Sequence, residues 1–103
     1  MSDPMTSQSV AEIATPRASR YLQQLCKHFA HKLPVTFDET EGNIGFNIGN
    51  CALKAEGETL RITLTAPDAA QMEQLKDVVV RHLLRFAFRE EMAITWQPAH
   101  SPA

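Results

Sequence analysis

The sequence predicts an α+β fold, in which an antiparallel sheet of about five to six strands carries two helices on one of its faces. Two segments repeat their apolar residues at helical spacing, whereas the segments around them alternate apolar and polar residues, as strands do. The length of 103 residues suits one domain. We expect that domain at 9–98, with tails lacking fixed structure at 1–8 and 99–103.

Short alternating segments, separated by turn residues, predict the strands. Residues 9–14 are expected to form a short edge strand, and residues 93–97 a last short strand before Pro98. An antiparallel meander is expected between the two helices, with strands around 35–38, 44–48, 51–56 and 60–65. Glycine beside a polar residue predicts its turns at 41–43, 49–50 and 57–58.

The first helix is expected to run from Pro16 to Lys32. Thr15 is the expected N-cap, proline suits the first helical turn, and Pro34 ends the helix. Its apolar residues fall on one arc, which predicts one buried and one solvated face: Ala18, Tyr21, Leu22, Leu25, Cys26 and Phe29.

The second helix is expected to begin at Asp68, which stands in capping-box spacing with Gln71, and to end near Arg89 or Glu90. Its inner apolar residues are Met72, Leu75, Val78, Val79, Leu83 and Phe86. Its apolar arc extends further, over Val80, Leu84, Ala87 and Phe88. One sheet cannot cover so wide an arc, so the outer strip must meet the first helix, another chain or the C-terminal tail. Burial against the first helix and a homodimer contact through Leu84 and Phe88 both remain open.

Composition and charge exclude several classes of function. A net charge of −2 lacks the clustered basic excess that nucleic acid binding needs. The sequence contains neither a long apolar membrane span nor a secretory signal. Cys26 and Cys51 stand far apart outside any C-x-x-C pattern, which favours free thiols in a reducing cytoplasm. Nucleic acid and membrane partners are therefore not expected.

The string Cys26-x-His28-x-x-His31 looks like a metal motif. On a helix, however, Cys26 and His28 lie about 160° apart around the axis, so they cannot grip the same ion. His28 and His31 lie about 60° apart and could share an ion with a third ligand from elsewhere. The alternative is that both are polar residues flanking the buried face, where His31 favours the C-terminal dipole of the helix.

His82 lies within the apolar face of the second helix. It is either a neutral core histidine, bonded to a backbone carbonyl or a side chain, or a site residue that faces His28 in the groove between the helices. Arg85 and Arg89 continue a stripe of charges at i, i+4 spacing. That stripe is either a solvated helix face or an anion site for a carboxylate or phosphate. Cys26, on the buried arc, is a poor nucleophile candidate.

The segments at 21–32 and 82–90, with the strands around Phe46 and Leu53-x-Ala55, resemble the bacterial domain of unknown function 2218 family over about residues 10–97. The resemblance implies a TATA-binding-protein-like fold, without implying DNA binding. It also implies a setting in iron uptake, because members occur beside siderophore-interacting ferric reductases, which suggests such a reductase as a partner. The positions that match the family strings are His28, His31, His82, Arg85 and Arg89.

Three functional hypotheses follow. The first is a non-catalytic binding or accessory protein for iron, a siderophore or another metal-linked anion. In it, the histidines at 28, 31 and 82 contact iron, zinc or a ligand, and the arginines at 85 and 89 hold ligand carboxylates. The second is a homodimeric interaction module. The third, an enzyme with His82 as a base, is least favoured, because no catalytic motif is present and an apolar arc is a poor place for an open cleft.

Overall fold

The computed structural model describes residues 7–87, 90 and 92–98. The elements it shows there are β1 Ser7–Ala14, α1 Ala18–Phe29, β2 Val35–Phe37, β3 Glu41–Phe46, β4 Gly49–Glu56, β5 Thr59–Ala66, α2 Ala69–Phe86 and β6 Gln97–Pro98. The strands form one antiparallel six-stranded sheet in the order β2-β3-β4-β5-β1-β6. This confirms the predicted α+β fold.

The core lies between the helices and one face of the sheet. Alternate residues of the central strands point into it, and the strand register aligns them side by side: Ile13 pairs with Leu60, and Leu53 with Ile62. The predicted arc of α1 is buried from Ala18 to Cys26, and Phe29 packs partly against it. The alternation in the sequence therefore identified the buried residues of β4 and β5, and helical spacing identified those of the two helices.

The structure corrects the beginning and end of α1. Thr15 does not occupy the N-cap position, although its Oγ1 accepts a hydrogen bond from the Arg17 amide at 3.1 Å. The Thr15 amide donates to the Glu58 carbonyl at 2.8 Å and so continues the ladder between β1 and β5. The cap position is Arg17, which makes no side-chain cap bond, and the helix begins at Ala18 rather than Pro16. It ends at Phe29, and residues 30–32 form a turn.

The start of α2 is as predicted, because Asp68 accepts a hydrogen bond from the Gln71 amide at 2.8 Å. The helix ends at Phe86, three or four residues earlier than expected. Ala87 leaves the helical conformation while its amide still donates to Leu83, and the Glu90 amide then donates to the Ala87 carbonyl. The chain thus turns at the point where the Glu90 side chain finds partners in the first turn of α1 and just before it.

Two of the three predicted turns are misplaced. Residues 41–43 belong to β3, and the chain turns before them, where the Asp38 carboxylate accepts from the amides of Thr40 and Glu41. Gly42 instead allows close packing, because a Cβ there would lie 2.6 Å from Cys26 Sγ. The next turn is at 47–48 rather than 49–50. The turn at 57–58 is confirmed, and Gly57 has a φ of 57° there.

The two ends of the chain also differ from expectation. β1 begins at Ser7 and lies between β5 and β6 rather than at an edge. The last strand is β6, and the predicted strand residues 93–96 are irregular. Along this C-terminal segment, alternate side chains still pack against the core: Met92, Ile94 and Trp96.

This C-terminal segment helps to explain the wide apolar arc of α2. The Lys76 ammonium lies 6.0 Å from the centre of the Trp96 ring, which places the returning chain against α2. On the outer strip, Ala87 is buried whereas Leu84 is 43% exposed, and Phe88 lies outside the described residues. No helix in the described part of the chain combines the length and apolar character that a membrane span requires.

Candidate functional site

The packing of α1 against α2 brings two of the predicted site residues together. The ring centres of His28 on α1 and His82 on α2 are 4.9 Å apart, and the rings are inclined at 42°. The ring of His28 also packs against that of Phe86, with ring centres 5.9 Å apart, and the ring centres of His82 and Phe29 are 4.9 Å apart. The two histidines thus form a pair surrounded by aromatic rings, although they lie 54 positions apart in the sequence.

The histidine pair lines an open groove, here called the histidine groove, of about 570 Å³. The residues that line it are His28, Phe29, His31, Lys32, Leu33, Phe46, Val78 and His82. Phe29 and Phe46 meet edge to face, with ring centres 5.0 Å apart, and make the lining largely apolar. Among these described lining residues none is acidic, so the polar groups are three histidines and one lysine.

A backbone bond fixes the orientation of His82. Its Nδ1 lies 2.7 Å from the carbonyl oxygen of Val78, one turn earlier on α2. Because a carbonyl only accepts, Nδ1 carries the proton and donates it. In the neutral ring, Nε2 therefore holds the free lone pair. This is the backbone bond expected of a core histidine, yet the side chain is only half-buried and faces His28.

Electrostatics favour the neutral form of His28. Partial desolvation lowers the pKa of His28, and the neighbouring His82, His31, Arg85 and Lys32 lower it further. A histidine with a lowered pKa keeps an unprotonated nitrogen near neutral pH. His28 can therefore accept a hydrogen bond or coordinate an ion there.

The three predicted histidines do not form a three-ligand metal centre. His31 lines the groove from the turn after α1. Within residues 7–87, 90 and 92–98, however, no three or more His, Cys, Asp and Glu side chains are grouped so that they could hold one ion. What the structure brings together is the pair His28 and His82.

The predicted anion residues are only partly described. Arg85 is exposed and, with Arg81 and His82, lines a second open pocket of about 370 Å³ beside the histidine groove. Arg81 already forms an ion pair with Asp77 at 3.0 Å, as the charge stripe predicts. Arg85 therefore contributes positive charge near His28, while Arg89 lies outside the described residues.

Another concavity lies on the opposite, open face of the sheet. It has a volume of about 660 Å³, and polar side chains of β3, β4 and β5 contribute to its lining. Those side chains form hydrogen bonds with each other or with their neighbours. Arg61 donates to Glu12 at 2.6 Å, and the side-chain amides of Asn43 and Asn50 donate hydrogen bonds to each other. A solvated sheet face accounts for this concavity, so we place the candidate site in the histidine groove.

The two cysteines are core residues. Both are free and fully buried, and burial raises the pKa of Cys26 to about 11. Burial also raises the pKa of Cys51, and the neighbouring Cys26 raises it further. A thiol that stays protonated and out of solvent is inert, as expected for Cys26 from the sequence.

Sequence reasoning missed a polar network at the other end of α1. The Glu90 carboxylate accepts hydrogen bonds from Thr15 Oγ1 at 2.9 Å, from the Tyr21 hydroxyl and from the Arg17 guanidinium at 3.2 Å. The bond from Tyr21, assisted by Thr15 and Arg17, lowers the pKa of Glu90. Burial and the adjacent carboxylate raise the pKa of Tyr21. The only feature of the sequence that pointed to this network was Glu90 itself, an acidic residue just beyond the apolar arc of α2.

Fold and site together define a small α+β domain with a histidine-bearing groove between its two helices. A family model for uncharacterised proteins conserved in bacteria, DUF2218, matches residues 10–97. Because that match spans most of the chain, the protein belongs to this family, as the sequence resemblance indicated. Comparison with curated proteins gives no match.

A solved structure supports the same fold. The NMR structure of PA4090 from Pseudomonas aeruginosa is 37% identical and superimposes with a TM-score of 0.76. The match covers 92% of this chain and 99% of that one. The similarity therefore extends over the whole domain, including both helices of the histidine groove.

Proposed function

We propose that this protein is a small, non-catalytic binding or accessory domain that holds an acidic ligand with a flat apolar body in the histidine groove. The observation that carries the proposal is the lining: phenylalanine rings and Val78 lie beside three histidines, with Lys32 at the same groove. Sites for small molecules combine an apolar wall with a few polar groups, in volumes of about 300–1,000 Å³. The groove has this character.

The charge around the groove favours an anion, although the whole chain is mildly acidic. Lys32 lines the groove, and Arg85 lies close enough to influence His28. A carboxylate could accept hydrogen bonds from Lys32 and from a histidine, while an aromatic ring stacks on Phe29 or Phe46. Arg89, the second predicted anion contact, stays a prediction.

A binding experiment with small acids tests this function. Amide and aromatic NMR signals are followed while benzoate, cyclohexanecarboxylate or benzyl alcohol is added. We expect benzoate to cause saturable shifts around Phe29 and Phe46, with a dissociation constant of about 1 mM, and each analogue, lacking the ring or the charge, to bind more weakly.

Paired phenylalanine variants provide the control. Phe46→Leu removes a ring from the groove and should weaken benzoate binding, whereas Phe37→Leu alters an exposed ring on β2 and should not. Equal effects of the two substitutions, or no saturable shifts with benzoate, would overturn the proposal.

We further propose that the natural ligand is linked to iron or siderophore handling, which is the setting that the family resemblance implies. Iron-binding aromatic acids carry adjacent hydroxyl groups, so 2,3-dihydroxybenzoate is the matched probe beside benzoate. Tighter binding of the dihydroxy acid supports the iron setting, and equal or weaker binding removes it. A reductase-type partner remains a prediction, as does the cytoplasmic location that the two free thiols favour.

A further inference from the structure

The histidine pair has the spacing of two cis ligands on one metal ion. An ion about 2.0–2.1 Å from an imidazole nitrogen lies about 3.2 Å from the centre of that ring. Two ring centres 4.9 Å apart then subtend an angle of about 100° at such an ion. This value lies between the angles of octahedral and tetrahedral coordination, so the spacing of the His28 and His82 rings is compatible with a shared ion.

The bond to the backbone supplies the second observation. Metal-binding histidines usually donate their other ring N–H to a carboxylate or a carbonyl, which fixes the ring and its tautomer. His82 makes such a bond through Nδ1 to Val78 at 2.7 Å, so Nε2 is the nitrogen available to an ion. An exposed histidine without this bond would lose more rotational freedom on binding.

The surroundings indicate that the protein fills only part of a coordination sphere. In the described part of the chain, no third His, Cys, Asp or Glu side chain completes a group with the pair. Lys32 and Arg85 add positive charge, which disfavours a bare cation. A metal ion is therefore best held together with an anionic chelating ligand, whose own donor atoms fill the remaining positions.

We propose that His28 and His82 bind one first-row divalent ion, of the zinc, nickel and copper class, and that a chelating acid in the histidine groove completes its coordination. Imidazole nitrogen suits this class of ion, whereas carboxylate and water suit magnesium and calcium. The metal part stands on the histidine pair alone. The chelator part rests on the proposed binding function.

Nickel alone tests the metal part. We expect native protein to bind Ni²⁺ in calorimetry, and His28→Gln and His82→Gln each to weaken that binding by at least about tenfold. His31→Gln is the matched control, because His31 lines the same groove outside the pair, and it should bind as the native protein does. With Cu²⁺, the electron paramagnetic resonance spectrum should show two coordinated nitrogens.

Equal losses in all three glutamine variants, or no Ni²⁺ binding by native protein, would refute the paired site. Thermal unfolding of each variant shows whether it is folded. If His82→Gln does not fold, the paired site is judged from the Ni²⁺ affinity of His28→Gln and from the number of nitrogens coordinated to Cu²⁺. His28 is exposed, so its substitution leaves the core intact.

Picolinate, a flat aromatic acid that chelates through nitrogen and oxygen, tests the chelator part. We expect Ni²⁺ and picolinate to raise each other's affinity by the same factor, as linkage requires. Benzoate binding without Ni²⁺ binding would leave the proposed function standing and end this inference. Ni²⁺ binding by the pair without any binding of benzoate or picolinate would keep the metal site and end the proposed function.

Discussion

The two ends of the α1–α2 helix pair satisfy their polar groups in opposite ways. At one end, the Glu90 carboxylate receives bonds from Tyr21, Thr15 and Arg17. At the other end, the rings of His28 and His82 make a single hydrogen bond among the described residues. It runs from His82 Nδ1 to the backbone carbonyl of Val78. The first end uses its polar groups to hold the fold together, whereas the second keeps nitrogens available beside an open groove.

The difference reflects what each end must accomplish. Glu90 fixes the chain beyond α2 to the start of α1, so its network closes a long loop that packing alone would leave loose. The histidine pair lies among aromatic rings that already hold the helices together, and its bonding capacity adds little to stability. We therefore expect substitutions at the first end to affect folding and those at the second to affect binding.

The largest expected effect on stability comes from Tyr21→Phe. The substitution removes one hydroxyl and leaves a charged acceptor at a part-buried site, which costs about 1.5–3 kcal/mol of the free energy of unfolding. His82→Phe, which removes a bond to a neutral carbonyl at the other end, should cost about 0.5–1.5 kcal/mol. Urea unfolding of both variants makes the comparison, and a smaller loss for Tyr21→Phe would contradict it.

Acid should weaken the Glu90 end selectively. Hydrogen bonds hold the pKa of Glu90 below that of the unfolded chain, so its contribution is complete above the unfolded pKa of about 4.3. That contribution is lost as pH falls through the folded pKa. The stability difference between the native protein and Glu90→Gln should therefore stay constant near neutral pH and shrink only as the pH falls below the unfolded pKa of about 4.3.

Glu73→Gln provides the control for the acid experiment. Glu73 forms an exposed ion pair with Lys76 on α2, and such surface pairs contribute little. Urea midpoints along the pH series should show a nearly constant, small difference for this variant. A difference for Glu90→Gln that does not change with pH would show that the carboxylate charge does not hold the network together.

The sequence predicted best where short-range pattern decides structure. The alternation in β4 and β5 identified their buried residues, and Asp68 and Gly57 marked a helix start and a turn by local chemistry. Gly42 looked like another turn glycine, because nothing local reveals that Cys26 of α1 packs against it. Distinguishing these two uses of glycine requires the tertiary arrangement.

The histidines of the candidate groove were named from the sequence, whereas its phenylalanine and lysine lining and its geometry were not. Helical spacing separated His28 from Cys26 and placed His82 on the apolar face, yet only the packing of α1 on α2 sets their distance. Thr15 was misjudged for the same reason, since its partner Glu90 lies 75 residues away in sequence. Contacts between distant segments carry no local signal, which is why the network at Glu90 was missed.

The smallest expected effect concerns the outer side of α2, where Leu84 is 43% exposed. If this surface only faces solvent, Leu84→Ser changes the free energy of unfolding by no more than about 0.5 kcal/mol and leaves the sedimentation coefficient unchanged. The homodimer hypothesis predicts instead that native protein sediments as a dimer and that Leu84→Ser converts it to a monomer. Val80→Ser, one turn earlier and half-buried, is the comparison: it should lower stability whichever state is found, because its side chain is partly covered within one chain. A native monomer at micromolar concentration would end the dimer hypothesis.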